Sequence, residues 1–180
     1  MIEIRQEAPV HHEAVRALND RAFGQPQEGR IVDALRAACP EAVSMVALSG
    51  KTVVGHIFFS PVVIDAPDAP DAPDAPGAPG GGMGLAPMAV LPEFQRQGIG
   101  TRMVENGIQI LTAAGCPFII VLGHETYYPR FGFAPASRHA LRAQWEGVPD
   151  EAFMVLVLDA AAINGVTGVA RYHEAFDTAM

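Results

Sequence analysis

The residues best suited to chemistry lie between Gln95 and Thr101, where Gln-Arg-Gln-Gly-Ile-Gly-Thr follows an apolar run and precedes a segment of helical periodicity. The first backbone N–H groups of a helix have no intrahelical partner and carry the positive end of its dipole, so such a turn binds anions. Gly98 and Gly100 lack a Cβ and let a phosphate approach the main chain, while Arg96 adds a cationic side chain. The spacing is not G-x-x-x-x-G-K-[ST], because no Lys follows either glycine, and not G-x-G-x-x-G, because the third glycine is missing. By itself the turn reads equally well as a plain bend between strand and helix.

The elements that position this turn follow from hydrophobic spacing. Met88-Ala89-Val90-Leu91 before Pro92 is a short apolar strand. From Gly98 onward, Arg102, Glu105, Asn106, Gln109 and Thr112 form one wet face and Ile99, Met103, Val104, Ile108 and Leu111 a broad apolar one, so a helix lies on a sheet until Gly115 caps it. Phe118 to Leu122 then reads as a fully buried strand. Strand, helix and strand make a βαβ unit with two parallel strands.

Upstream, Ile2 and Ile4 alternate with charges as in a half-buried strand. A helix is expected from His11 with Val15, Leu18 and Ala22 on one face, and another from Glu28 to Cys39 with Ile31, Leu35 and Ala38 on one face. Val43–Leu48 and Thr52–Ile64 read as a hairpin turning at Ser49-Gly50, with a bend or bulge near Gly55 or Pro61. His11 and His12 are expected to be solvated and His56 to be a satisfied histidine. Residues 65–82 hold four Asp-Ala-Pro triplets, Gly-Ala-Pro and a glycine run. Proline at every third position excludes helix and central strand and favours an extended connection between strands. Phe153–Leu158 is a further strand, and the tail through Gly168 and Phe176 has no assigned role.

At 180 residues the chain fits one domain, residues 1–180, with the Asp-Ala-Pro tract inserted in it. Hydrophobic residues at 49% and charged ones at 18% indicate a globular protein, and a net charge of −8 argues against nucleic acid as a partner. Cys39 and Cys116 have no metal-like spacing and read as small core residues, so neither a disulfide framework nor a metal site is expected. No signal peptide or membrane span is visible, which makes a cytoplasmic location the default.

Gln-x-x-Gly-x-Gly after an apolar strand and before an amphipathic helix resembles the pyrophosphate loop of the GNAT superfamily of acyl-CoA-dependent N-acyltransferases. The six residues Tyr128-Pro129-Arg130-Phe131-Gly132-Phe133 fit the Tyr-x-x-x-Gly-Phe signature that follows that loop by one helix and one strand in the same superfamily. Leu85 to Val90, Val121-Leu122-Gly123, Tyr127 to Phe133 and Val148 to Met154 are similar to a bacterial branch of predicted N-acetyltransferases. The resemblance covers essentially the whole chain apart from the Asp-Ala-Pro tract.

This resemblance implies an α/β (α+β) fold, a mixed central sheet flanked by helices in which a splayed pair of parallel strands forms the acyl-CoA cleft. Acetyl-CoA is then the co-substrate, with its pantetheine amides on the strand at Met88, Ala89 and Val90 and its pyrophosphate on the turn from Gln95 through Arg96, Gln97, Gly98, Ile99, Gly100 and Thr101. A backbone N–H near Ala89 is implied for the oxyanion. Tyr128 is implied as the acid for the leaving thiolate, with packing against the CoA arm as its alternative. The strand positions that carry a base in some members are Gly84, Leu85 and Ala86 here, and none can accept a proton. Glu125, His124 or a water-mediated route remain for that role, and Tyr127 points to the core or the acceptor pocket. The implied activity is N-acetylation of a primary amine, on a small molecule or a protein, in a ternary complex. A CoA-binding sensor or scaffold without efficient catalysis and a nucleotide binder of another fold are its competitors, and the resemblance leaves a homodimer open.

Overall fold

The computed structural model describes residues 1–65 and 81–177, so residues 66–80, the body of the Asp-Ala-Pro tract, lie outside the described residues. In chain order the elements are strand β1 (Ile2–Gln6), helices α1 (His12–Phe23) and α2 (Gln27–Ala38), and strands β2 (Val43–Ser49), β3 (Thr52–Asp65) and β4 (Gly82–Val90). Helix α3 (Ile99–Ala113) leads to strands β5 (Phe118–Leu122), β6 (Ala134–Pro135), β7 (Leu141–Ala143) and β8 (Phe153–Val157), then the single turn α4 (Ala160–Ile163) and strand β9 (Gly168–Arg171). The pairs β1–β2, β2–β3, β3–β9, β5–β8 and β6–β8 are antiparallel, whereas β4–β5 and β7–β9 are parallel, which is the mixed sheet expected of the fold. Asp65 and Gly82 belong to strands, so the inserted tract is shorter at both ends than its composition suggests.

The chain forms two compact units. The first holds Met1–Ser60, Ala86–Ile110 and Glu174–Met180. In it the β2–β3 hairpin turns at Gly50, with φ +62°, and its register shifts between Ala47 and Leu48 opposite Gly55 and Val53, the bulge expected near Gly55. Helix α3 lies on β3 with Ile99 and Met103 against Gly55. Two features of this unit differ from expectation. Ala38 is exposed and Val32 is buried in its place beside Ile31 and Leu35, because the buried stripe drifts around α2 at 3.6 residues per turn. His11 is buried rather than solvated: its Nδ1 accepts the Ala8 N–H at 3.0 Å, and its Nε2 lies 3.3 Å from Arg5 Nη2, so it closes the turn before α1.

A buried polar chain ties α1 and α2 to the hairpin. Asn19 Nδ2 donates to Val15 O at 2.9 Å and lies 3.1 Å from His56 Nδ1, which must therefore accept. His56 then carries its proton on Nε2 and donates to Ser44 Oγ at 3.0 Å, and the Ser44 hydroxyl donates to Glu7 Oε2. Glu7 in turn pairs with Arg36 at 2.8 Å, and Arg36 with Asp33 at 2.7 Å. With its proton on the serine side and Nδ1 facing an amide, His56 cannot take the Ser44 proton, so this is an anchor and not a nucleophile site.

Burial, and then the Arg36 charge, push the His56 pKa down to about 3. Above about pH 6.5 the imidazole is neutral in folded and unfolded chains alike; as pH falls below that value only the unfolded chain takes up the proton, and stability is lost down to the folded pKa. The site is expected to cost about 1.4 kcal/mol per pH unit in that window. Urea unfolding at pH 7, 6 and 5 checks this: the wild-type slope should shrink in His56→Gln, and equal slopes would exclude the role.

The second unit holds Pro61–Leu85 and Leu111–His173. Residues 118–121 of β5 are buried, as a continuous apolar run requires. Gly115, with φ +76°, ends the preceding helix: its N–H reaches Thr112 O at 3.1 Å, and the Cys116 N–H reaches Leu111 O at 3.0 Å. Both cysteines are free; Cys39 is buried, but Cys116 is only half-buried, with Sγ 3.2 Å from Phe118 O. The β4–β5 ladder pairs Met83 with Ile119, Gly84 with Ile120 and Leu85 with Val121, the parallel pair of the expected βαβ unit. The tail supplies β9, which pairs with β3 and β7, and then Tyr172, which is buried.

Candidate functional site

In the first unit the turn after β4 is braced by its own side chains. Gln95 Nε2 donates to Val90 O at 3.0 Å and Gln97 Nε2 to Glu93 O at 3.1 Å, while Glu93 pairs with Arg21 of α1 at 3.0 Å. Gln95 and Gln97 therefore offer a ligand their backbones rather than their amides, and the Val90 carbonyl is already engaged. Arg96 adopts φ +59° and Gly98 φ +78°, two left-handed residues in three that fold the loop back over the start of α3. At this end of α3 the Arg102 N–H reaches Gly98 O at 3.0 Å, which leaves the N–H groups of Ile99, Gly100 and Thr101 without an intrahelical acceptor. Three such N–H groups beside the exposed Arg96 guanidinium suit a phosphate ester. No side chain of Met88, Ala89 or Val90 can do acid–base work; β4 offers main-chain groups there.

In the second unit β5 ends at Leu122, and the N–H of the next residue, Gly123, bonds Ala152 O at 3.0 Å. The next residues turn back, with the Tyr127 N–H on His124 O at 3.0 Å, into one helical turn over Tyr128–Phe131 that stops at Gly132 with φ +94°. Tyr128 is only 6% exposed. Its ring packs on Tyr127 at 5.1 Å and Phe133 at 5.6 Å, and a Cβ on Gly123 would come 2.3 Å from it. Burial first, and Tyr127 second, push the phenol pKa well above its ordinary value, so Tyr128 stays protonated throughout the physiological range. A phenol so raised donates a hydrogen bond more readily than it gives up its proton, which bears on the acid role implied for Tyr128.

His124 and Glu125 are exposed and line a cavity of about 300 Å³ with Thr126 and Glu151. Tyr127 is half-buried under the Arg130 guanidinium, 4.6 Å from its ring centre.

Sequence reasoning missed Tyr172. Its ring lies against Gly84, where a Cβ would come 2.4 Å from it, its hydroxyl donates to Ile120 O at 3.3 Å, and Trp145 covers it at 5.5 Å. No local motif marks this residue.

Among the described residues no group of three or more His, Cys, Asp and Glu is arranged to hold a metal ion, and no helix is long and apolar enough to cross a membrane.

Residues 12–133 match the model of the acetyltransferase (GNAT) family. The uncharacterized N-acetyltransferase YhbS of Escherichia coli is 34% identical over 175 residues, 97% of this chain and 98% of that one. The crystal structure of E. coli YhbS in complex with CoA superposes with a TM-score of 0.84 at 33% identity, covering 98% of this chain and 92% of that chain. A GNAT family acetyltransferase from Brucella melitensis, in complex with acetyl-CoA, gives 0.75 at 33% identity, covering 98% and 99%.

Proposed function

Since the chain belongs to the acetyltransferase (GNAT) family, we propose that it moves an acetyl group from acetyl-CoA to a primary amine by direct attack in a ternary complex. The observation that carries this reading is the start of α3, where three N–H groups without an intrahelical acceptor, two left-handed residues and Arg96 make an anion cradle of the kind a pyrophosphate fits. The CoA complex of YhbS and the acetyl-CoA complex of the Brucella protein support the same ligand here. Ile99, Gly100 and Thr101 give N–H groups to the pyrophosphate, Arg96 adds charge, and the backbone of Met88, Ala89 and Val90 takes the pantetheine arm.

The co-substrate brings an activated thioester; the chain must shed one proton from the amine, hold the oxyanion and protect the leaving sulfur. Tyr128, protonated and shielded from water, donates to the sulfur. A backbone N–H near Ala89 holds the oxyanion. Glu125 is exposed on its cavity and, with water between it and the amine, accepts the proton; His124 is its neighbour for the same task.

Release of free thiol from acetyl-CoA, followed with a panel of primary amines, tests the reading. Amine-dependent release is expected. Tight CoA binding with no release for any amine would leave the chain a CoA-binding module, and a thermal shift with ATP or NAD but none with CoA would exclude the CoA cleft altogether.

A further inference from the structure

We propose that Tyr172 is the floor of the acyl pocket and restricts the chain to short acyl groups, an inference that rests on the acetyl-CoA reading above. The Gly123 N–H bonds Ala152 O, just before β8, so Gly123 and, by the two-residue alternation of a strand, Val121 direct their main-chain groups toward β8. Ile120 and Leu122 then direct theirs the other way, toward β4. The Tyr172 hydroxyl donates to Ile120 O, and the backbone N–H of Leu122 faces the hydroxyl oxygen of Tyr172. A side chain from the far end of the sequence thus reaches the main chain of β5 on its β4 side.

That contact coincides with the end of the parallel ladder, whose final pair is Leu85 with Val121. The ring covers Gly84, one pair further in, and only a residue without a Cβ leaves room for it. The wedge is also held firmly: the Tyr172 N–H donates to Gln144 Oε1 at 2.6 Å, Trp145 lies over the ring, and the residue is 6% exposed. An acyl-CoA arm that takes up the strand edge past the ladder's end brings its thioester toward this ring. The acyl carbons then meet a rigid aromatic wall, and each added methylene has to displace it.

Calorimetric titration of the full chain with acetyl-CoA, butyryl-CoA and CoA tests the assignment, with the rate of thiol release from each thioester as a second readout. Wild type is expected to bind acetyl-CoA at least about tenfold more tightly than butyryl-CoA, the discrimination a few methylenes give in a closed pocket. Tyr172→Phe keeps the wall and should keep the ratio; Tyr172→Leu should bring it to about unity. Tyr172→Met, which fills more of the space with a flexible chain, gives the same test if the leucine variant does not fold, and should also lower the ratio. Equal binding of the two thioesters by wild type, or an unchanged ratio in a folded leucine or methionine variant, would overturn the proposal while leaving the acetyl-CoA reading intact. Failure of wild type to bind CoA or either thioester would instead remove that reading, and this inference with it.

Discussion

Tyr128→Phe is expected to lower turnover about a hundredfold while changing the affinity for CoA by less than about threefold, because a hydrogen bond aimed at the charge developing on the leaving sulfur contributes about that much and is made only as the bond breaks. The ring contacts with Tyr127 and Phe133 and the close fit on Gly123 survive the substitution, so the variant loses one hydroxyl and little packing. The pH profile carries a second expectation. The proposed role needs Tyr128 in its protonated form, that form persists up to the folded pKa, and burial moves that pKa upward. Turnover should therefore show no loss from this group as pH rises through 9 toward 10, where an unburied phenol would begin to ionise. Steady-state rates from pH 6 to 10, with calorimetry for CoA, give both answers. Unchanged turnover in the phenylalanine variant would reduce Tyr128 to a packing residue.

The largest stability effect is expected at Arg36→Met. Glu7, with a side chain only 4% exposed, faces Arg36 at 2.8 Å and also takes the Ser44 hydroxyl. Removing the guanidinium strands a buried carboxylate, for which roughly 3 kcal/mol is the usual lower figure. For a chain of this length that corresponds to a fall in melting temperature of roughly 10 °C. Adding Glu7→Gln should recover part of the loss, since the stranded charge is then gone. Thermal and urea unfolding of the two single variants and the double variant decide it; a loss below about 1 kcal/mol in Arg36→Met would mean that water reaches Glu7.

How much of this was legible in the sequence depends on whether the cause is local. The start of α3, the cap at Gly115, and the apolar runs of β4 and β5 announce themselves because periodicity and glycine act over a few residues. The bulge opposite Gly55 was legible for the same reason. His11 looked solvated because nothing in His11-His12 reveals that the chain folds the first ring under Arg5 and leaves the second half-buried. His56 was read as a satisfied histidine, yet its partners Asn19 and Ser44 stand 37 and 12 residues away and could not be named. Tyr172 was invisible for a sharper reason: its meaning comes from Ile120, 52 residues earlier, and from a glycine in a third strand. Of the candidate site, the loop and the tyrosine turn could be read as motifs; the bracing by Gln95 and Gln97 and the displaced basicity of Tyr128 required the packed structure.

The late position of Tyr172 bears on how such chains diverge. Every motif that marks the acyl-CoA chemistry is complete by Phe133, whereas the side chain at the inner end of the β4–β5 ladder arrives with the last strand. Substitutions in the tail can therefore retune which thioester is accepted without touching the loop or Tyr128, and two relatives with identical signatures need not share a substrate. A frameshift or early stop beyond Phe133 would leave a sequence that still reads as an acetyltransferase and lacks the wall that makes it selective.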